Sequence, residues 1–148
     1  MNPNIKHAER VAILATLDPA SVAASTVVTT WVSINVFHSI AAVIQTGVMG
    51  ASGTIDAKLR QATDNAGTGA KDVPNKAITQ IVKASGDNKQ AIIECRDTDL
   101  DTTNGYAFVA LSVTVGTAAS LLAAQLLGTN PIFAPASAAN QAGVVQLV

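Results

Sequence analysis

The residues best placed for chemistry are the three carboxylates of Asp97-Thr-Asp-Leu-Asp101. Carboxylates at positions one, three and five open a calcium loop, but that loop also needs glycine at position six and glutamate at twelve. Thr102 and Phe108 stand there instead. Two readings follow: a polar loop whose carboxylates meet water and cap backbone donors, or a calcium site of non-standard form. His7 and His38 are the only histidines, and neither has a cysteine, histidine or carboxylate at metal-ligand spacing. His38 borders an apolar run and reads as structural. Gly67-Thr-Gly-Ala-Lys71 has the residue types of a phosphate loop without the G-x-x-x-x-G-K-[ST] spacing, so it reads as a turn. Gly50-Ala-Ser-Gly53 likewise departs from G-x-S-x-G, with no partner in view for a serine nucleophile. Cys95 lies in a strand-like run and reads as buried and inert. The sequence therefore assigns no catalytic, cofactor-binding or metal-ligating residue. The expectation is a protein that is not an enzyme and carries no cofactor.

The elements around these residues read as β-structure. Tyr106–Gly116 carries Val109, Leu111, Val113 and Val115 on one face and Ala110, Ser112 and Thr114 on the other. That is the period of a strand with one face in a core. Thr54–Thr63 alternates Ile55, Ala57 and Leu59 with Asp56, Lys58 and Arg60, so it reads as a half-exposed strand. The apolar run His38–Met49 precedes it across Gly50–Gly53, which suggests a hairpin. Val27–Phe37 is another β-branched and aromatic stretch, with Trp31 as an anchor in a core or an interface. Asp64–Pro74 reads as a loop, Ala77–Lys83 as a short strand or helical turn, and Gln90–Arg96 as a strand. Ala118–Leu127 has strong helix formers, yet it runs from Gly116-Thr117 to Gly128, about one strand length, and strand is preferred. Short strands separated by glycine turns predict an all-β chain: an antiparallel β-sandwich or jelly-roll-like barrel with extended N- and C-terminal arms.

The chain has 148 residues, enough for one domain with a real core. Its expected division is an N-terminal arm over residues 1–25, a β core over 26–128 and a C-terminal arm over 129–148. Residues 5–15 could also form a short helix, stopped at Asp18-Pro19. Charged residues make up 13% of the chain, against a usual share of about 25%. None occurs from Pro19 to Ile55 or from Thr102 to Val148. A surface so poor in charge suits contact with partners. The formal net charge of −1 lacks the basic footprint of a nucleic-acid binder. The lysines and arginines of the middle third are interleaved with aspartates, as on a solvated face. The uncharged runs are broken by polar residues, glycine and proline, so no membrane span is expected. One cysteine allows no intrachain disulfide, which fits assembly in a reducing cytoplasm.

Several stretches resemble one group of proteins. They are Gly53–Asp64, Gly67–Asp72, Lys76–Gln80, Lys89–Ile93, Leu111–Gly116, Gly128–Pro131 and Pro135–Ser137. Together they resemble small proteins of tailed-phage and prophage head modules, the capsid decoration or cement proteins, over roughly residues 11 to 140. The resemblance implies a β-rich sandwich sitting as a dimer or trimer on the outside of a capsid shell. Its partners would then be the major capsid protein and further copies of itself, with no nucleic acid and no membrane. Many relatives have aromatic or charged residues near the C-terminal proline, where this chain has Ile132-Phe-Ala134. The resemblance supplies no catalytic residue. It also implies that removing Ile132–Val148 weakens capsid binding more than folding. Two alternatives stand beside it. One is another virion component, such as a tail-tube or head–tail joining protein. The other is a module binding glycans or host surfaces, for which only five aromatics are on hand.

Overall fold

A computed structural model describes residues 4–148. The chain forms helical turn α1 (His7–Arg10), then strands β1 (Val11–Val22), β2 (Ser25–Val28), β3 (Val32–Ser33), β4 (Phe37–Met49), β5 (Thr54–Ala62), β6 (Lys71–Ala77) and β7 (Ile81–Val82). Helical turn α2 (Lys83–Gly86) and strands β8 (Gln90–Arg96), β9 (Phe108–Gly116) and β10 (Ser120–Pro131) follow. All strand pairs are antiparallel, in two sheets. One is four-stranded, in the order β1-β10-β4-β8. The other has six strands, with β2-β9-β5-β6 as its main path, β3 pairing with β9 and β7 with β5. The fold is an antiparallel β-sandwich, as the alternating strands predict.

The period of two places the core between the sheets. Ile55, Ala57 and Leu59 of β5 and Val109, Leu111, Val113 and Val115 of β9 are buried from one side. Ile40, Ala42 and Ile44 of β4 and Leu122, Ala124 and Leu126 of β10 meet them from the other. Phe37 is 1% exposed and lies against Gly128, where an added Cβ would come within 2.7 Å of its ring. Only glycine lets that ring close over β10. Ala110 and Ser112 are buried as well, although they face away from the core. They stand directly opposite Arg60 and Lys58 on β5, whose aliphatic stems are long enough to cover these two small side chains.

The run Ala118–Leu127 is strand from Ser120 onward. Its helix formers yield to position, because β1 and β4 take both edges of β10. Gly50–Gly53 does not close a hairpin. The strands it joins lie in different sheets: β4 pairs with β10 and β8, and β5 with β9, β6 and β7. Both edges of each strand are filled, so the turn carries the chain across the sandwich. Val27–Phe37 is interrupted, supplying part of β2, all of β3 and the start of β4. The expected loop Asp64–Pro74 ends early, since β6 begins at Lys71 and includes Pro74. An edge strand tolerates proline.

The terminal arms need correcting. Residues 1–3 of the expected N-terminal arm lie outside the described residues. From Val11 that segment is β1, paired with β10 from Val11↔Thr129 to Val22↔Ser120. Asp18-Pro19 falls in a register shift between Leu17 and Ala20, where the ladder needs no proline N–H. The expected helix is the single turn α1. At the other end, β10 continues to Pro131, and Ala136–Ala139 forms a 3-10 turn whose Ala136 is 2% exposed. Asn140 and Gln141 bind β1 of their own chain. The Ile13 N–H donates to Asn140 Oδ1 at 2.9 Å, and the Gln141 N–H to the Ile13 carbonyl at 2.8 Å. This part of the C-terminal segment fills the open edge of β1 and is a component of the fold.

Candidate interaction surface

The carboxylates of the 97–101 stretch turn to separate partners. Asp97 accepts from the Thr98 N–H and stands 3.2 Å from His38 Nδ1. Asp99 accepts from the Arg96 N–H at 2.8 Å and pairs with Lys76 Nζ at 2.9 Å. Asp101 accepts from Asn104 and pairs with Lys71. Asp99 closes the 3-10 turn Asp97–Asp99 through the Arg96 N–H, and Asp101 precedes the turn Thr102–Asn104 and holds the Asn104 side chain. The Arg96 N–H first, then Lys76, hold Asp99 below the usual carboxylate range, and Lys71 and then Asn104 do so for Asp101. Among the described residues no group of three or more His, Cys, Asp or Glu could hold a metal ion. In this arrangement the three carboxylates are taken up by backbone donors, His38, Asn104 and two lysines.

The Gly67–Lys71 turn is organised by an anion of its own. Asp64 Oδ1 accepts from the N–H groups of Ala66 and Thr68, both at 2.9 Å. The Thr68 side chain first, and then these backbone bonds, lower the Asp64 pKa. Lys71 turns away to Asp101 and lies over the Tyr106 ring, 4.1 Å from its centroid. Two of the five aromatics are engaged here. Trp31 packs on Gly67, at φ +84°, where an added Cβ would stand 2.5 Å from Nε1, and the Tyr106 hydroxyl donates to the Gly69 carbonyl. The loop braces two aromatic rings and binds its own carboxylate. Ser52 sits in the crossover turn at φ 57°. Cys95 is 1% exposed, and burial pushes its thiol pKa up to about 11.

Two strands from the charge-free stretches, β4 and β10, come together at the centre of the four-stranded sheet, while β2, β3 and β9 from the same stretches lie in the other sheet. Cross-strand rows run over the outer face of the four-stranded sheet. Ile13, Leu127, Ala41 and Glu94 make one row, and Thr16, Gln125, Val43 and Ile92 the next. Outward positions of β10 and β4 in these rows carry no charge; Glu94 and Arg96 on β8 supply one of each sign at the edge. Ile92 is 63% exposed, Leu121 44% and Val48 55%. The outer face of the other sheet bears Asp56, Lys58, Arg60 and Asp72. There Lys58 Nζ lies 2.7 Å from Asp72, and Gln80 donates to Asp56 at 2.7 Å. One broad face is wet and ionic, the other neutral and partly apolar.

The C-terminal residues extend the neutral side. Beyond Gln141 the chain passes beside Ile13, Gln125 and Leu127, leaving a groove of about 790 Å³ between them and Val144, Leu147 and Val148. Val145, Leu147 and Val148 are exposed, as is Phe133 at 79%. Among the described residues no helix is long and apolar enough to cross a membrane.

No protein-family model matches this sequence, and no curated protein matches it. Solved structures similar to it include the Bacillus endospore appendages described as disulfide-linked pili, at 16% identity and a TM-score of 0.36, over 88% of this chain and 99% of that one. A chain of the infectious bursal disease virus Gx strain is 10% identical with a TM-score of 0.46, over 93% of this chain; the match spans only 37% of the viral chain. A carbohydrate-binding module named CBM4 is 12% identical with a TM-score of 0.42, over 80% and 79% of the two chains. Likeness of this degree carries no argument about function, partner or substrate.

Proposed function

We propose that this protein is a structural virion component that binds the outside of a phage capsid shell and stabilises it through capsid contacts and self-association. The observation that carries the reading is the division of the sandwich surface. A protein that spends its life against neighbours needs a neutral face that loses little solvation on burial, and a second face that stays wetted. The neutral side, with Phe133 and the exposed C-terminal valines and leucine continuing it, has the first property. The ion-paired face around Lys58 and Asp72 has the second. The resemblance to decoration proteins points the same way and supplies the partner, a major capsid protein. On this reading the protein acts on the virion surface and assembles in the host cytoplasm.

The test is sedimentation of purified protein with undecorated phage heads. Co-sedimentation at micromolar concentration is expected; protein left in the supernatant refutes the proposal. Micrographs of the decorated particle separate shell binding from a place on the tail axis, as a tail-tube or joining protein would have.

A further inference from the structure

We infer that the outer face of the four-stranded sheet is a self-association surface on which a second copy of this chain packs face to face about a two-fold axis. This deepens the self-association part of the proposed function and is separable from shell binding. Three observations select a second copy as the occupant. The first is size. Four strands about 4.8 Å apart, three of them twelve or thirteen residues long at about 3.3 Å per residue, make a face of roughly 700 Å², whose corner at Ile13, Thr16 and Leu127 is shared with the chain's own C-terminal residues. A standard interface covers about 800 Å² per partner.

The second is charge. A two-fold interface presents the same patch to itself, so any net charge on it repels its own copy. Here β10 and β4 present neutral side chains at their outward row positions. The opposite signs of Glu94 and Arg96 cancel at the β8 edge, and the one further charge, Asp18 at the β1 edge, accepts a hydrogen bond from Thr16. In the other sheet the charges of β5 and β6 are held in internal pairs, so that part offers no such patch. The third is relief. Alanines and other small residues lie beside projecting Val43, Ile92 and Leu121, and Gly47 sits directly beneath Leu121, where an added Cβ would be 2.8 Å from the leucine Cβ. Ridges beside shallow positions are what two stacked sheets need in order to interdigitate about 10 Å apart.

The experiment is sedimentation velocity of the full chain across a concentration series, for the wild type and for Ile92→Lys, Val43→Lys and Val82→Lys. Val82 is 40% exposed but belongs to the six-stranded sheet, so its variant is the control. The expected result is a wild-type dimer whose dissociation constant rises at least tenfold in Ile92→Lys and Val43→Lys and stays unchanged in Val82→Lys. Circular dichroism melts of all four proteins establish that the variants are folded. A wild type monomeric throughout the series, a trimer, or a dimer indifferent to Ile92→Lys overturns the inference. Shell binding by a monomeric wild type would sink this interface and leave decoration standing. A dimer sensitive to Ile92→Lys that ignores phage heads would do the reverse.

Discussion

Asn140 reaches across 127 residues of sequence to accept a hydrogen bond from the Ile13 N–H at 2.9 Å. The bond ties the C-terminal segment to the strand that opens the sandwich. Its neighbour Gln141 donates its backbone N–H to the Ile13 carbonyl, and its side chain to Thr16 Oγ1. Asn140→Ala would leave a part-buried N–H without its acceptor. A loss of about 1–3 kcal/mol is expected, read as a lower denaturation midpoint with an unchanged m-value.

Truncation separates the two parts of the C-terminus. Removing Gly143–Val148 takes away mostly exposed side chains, and folding stability should stay within about 0.5 kcal/mol. Removing Ile132–Val148 also uncovers Ile13 and Thr16 and deletes buried Ala136. At about 1 kcal/mol per lost hydrogen bond, a drop of about 3 kcal/mol is expected. Equal melting curves for the two truncations would contradict this docking. The longer deletion is therefore a poor probe of capsid binding, and the shorter one the useful probe.

Gly128→Ala should destabilise the protein by about 1–3 kcal/mol, because its methyl group would fall 2.7 Å from the Phe37 ring in a filled core. Phe37→Leu in the same chain replaces that ring with a smaller aliphatic side chain. The double variant should therefore lose less than the sum of the two single losses, as a double-mutant cycle would measure.

Stability should decline at both ends of the pH scale, for different groups. Asp64, Asp87, Asp99 and Asp101 all titrate below the usual value of 3.8 in the folded protein. Their contribution is present above that value and disappears as pH falls beneath it. Cys95 runs the other way. Its thiol is raised from 9.0 to about 11 by burial, so the unfolded chain loses that proton first and stability falls between those values. Lys71, raised chiefly by its bond to Asp101, adds a loss above its usual 10.5. In thermal melts Cys95→Ala should be less stable at neutral pH, yet fall more gently from pH 9 to 11. Parallel curves would contradict the assignment.

Strands written as alternation within a few residues were legible directly. Gln90–Arg96 is β8, and Thr54–Ala62 is β5 with Ile55, Ala57 and Leu59 inward. What depends on distant partners was not. A Gly-Ala-Ser-Gly turn has the same composition whether it joins paired strands or passes between sheets. Asp18-Pro19 reads as a stop, because nothing local reveals the break in pairing that accommodates it. Trp31 reads as an anchor, while its seat on Gly67 is set by two loops meeting. The neutral face is scattered over four strands, and only their register gathers Ile13, Leu127 and Ala41 into one row.

The strand order also sets the timing of folding during synthesis. The last two strands made, β9 and β10, occupy inner positions: β9 between β2 and β5, β10 between β1 and β4. A nascent chain that has emerged only as far as Asn104 can pair β4 with β8 and β5 with β6, but β1 and β2 still have no neighbour. Neither sheet can close until the final third leaves the ribosome. Such non-local closure is slow and leaves strand edges open meanwhile. A chain terminated before Phe108 lacks both joining strands and one terminated before Ser120 lacks β10, so a completed sandwich has been translated at least through β10.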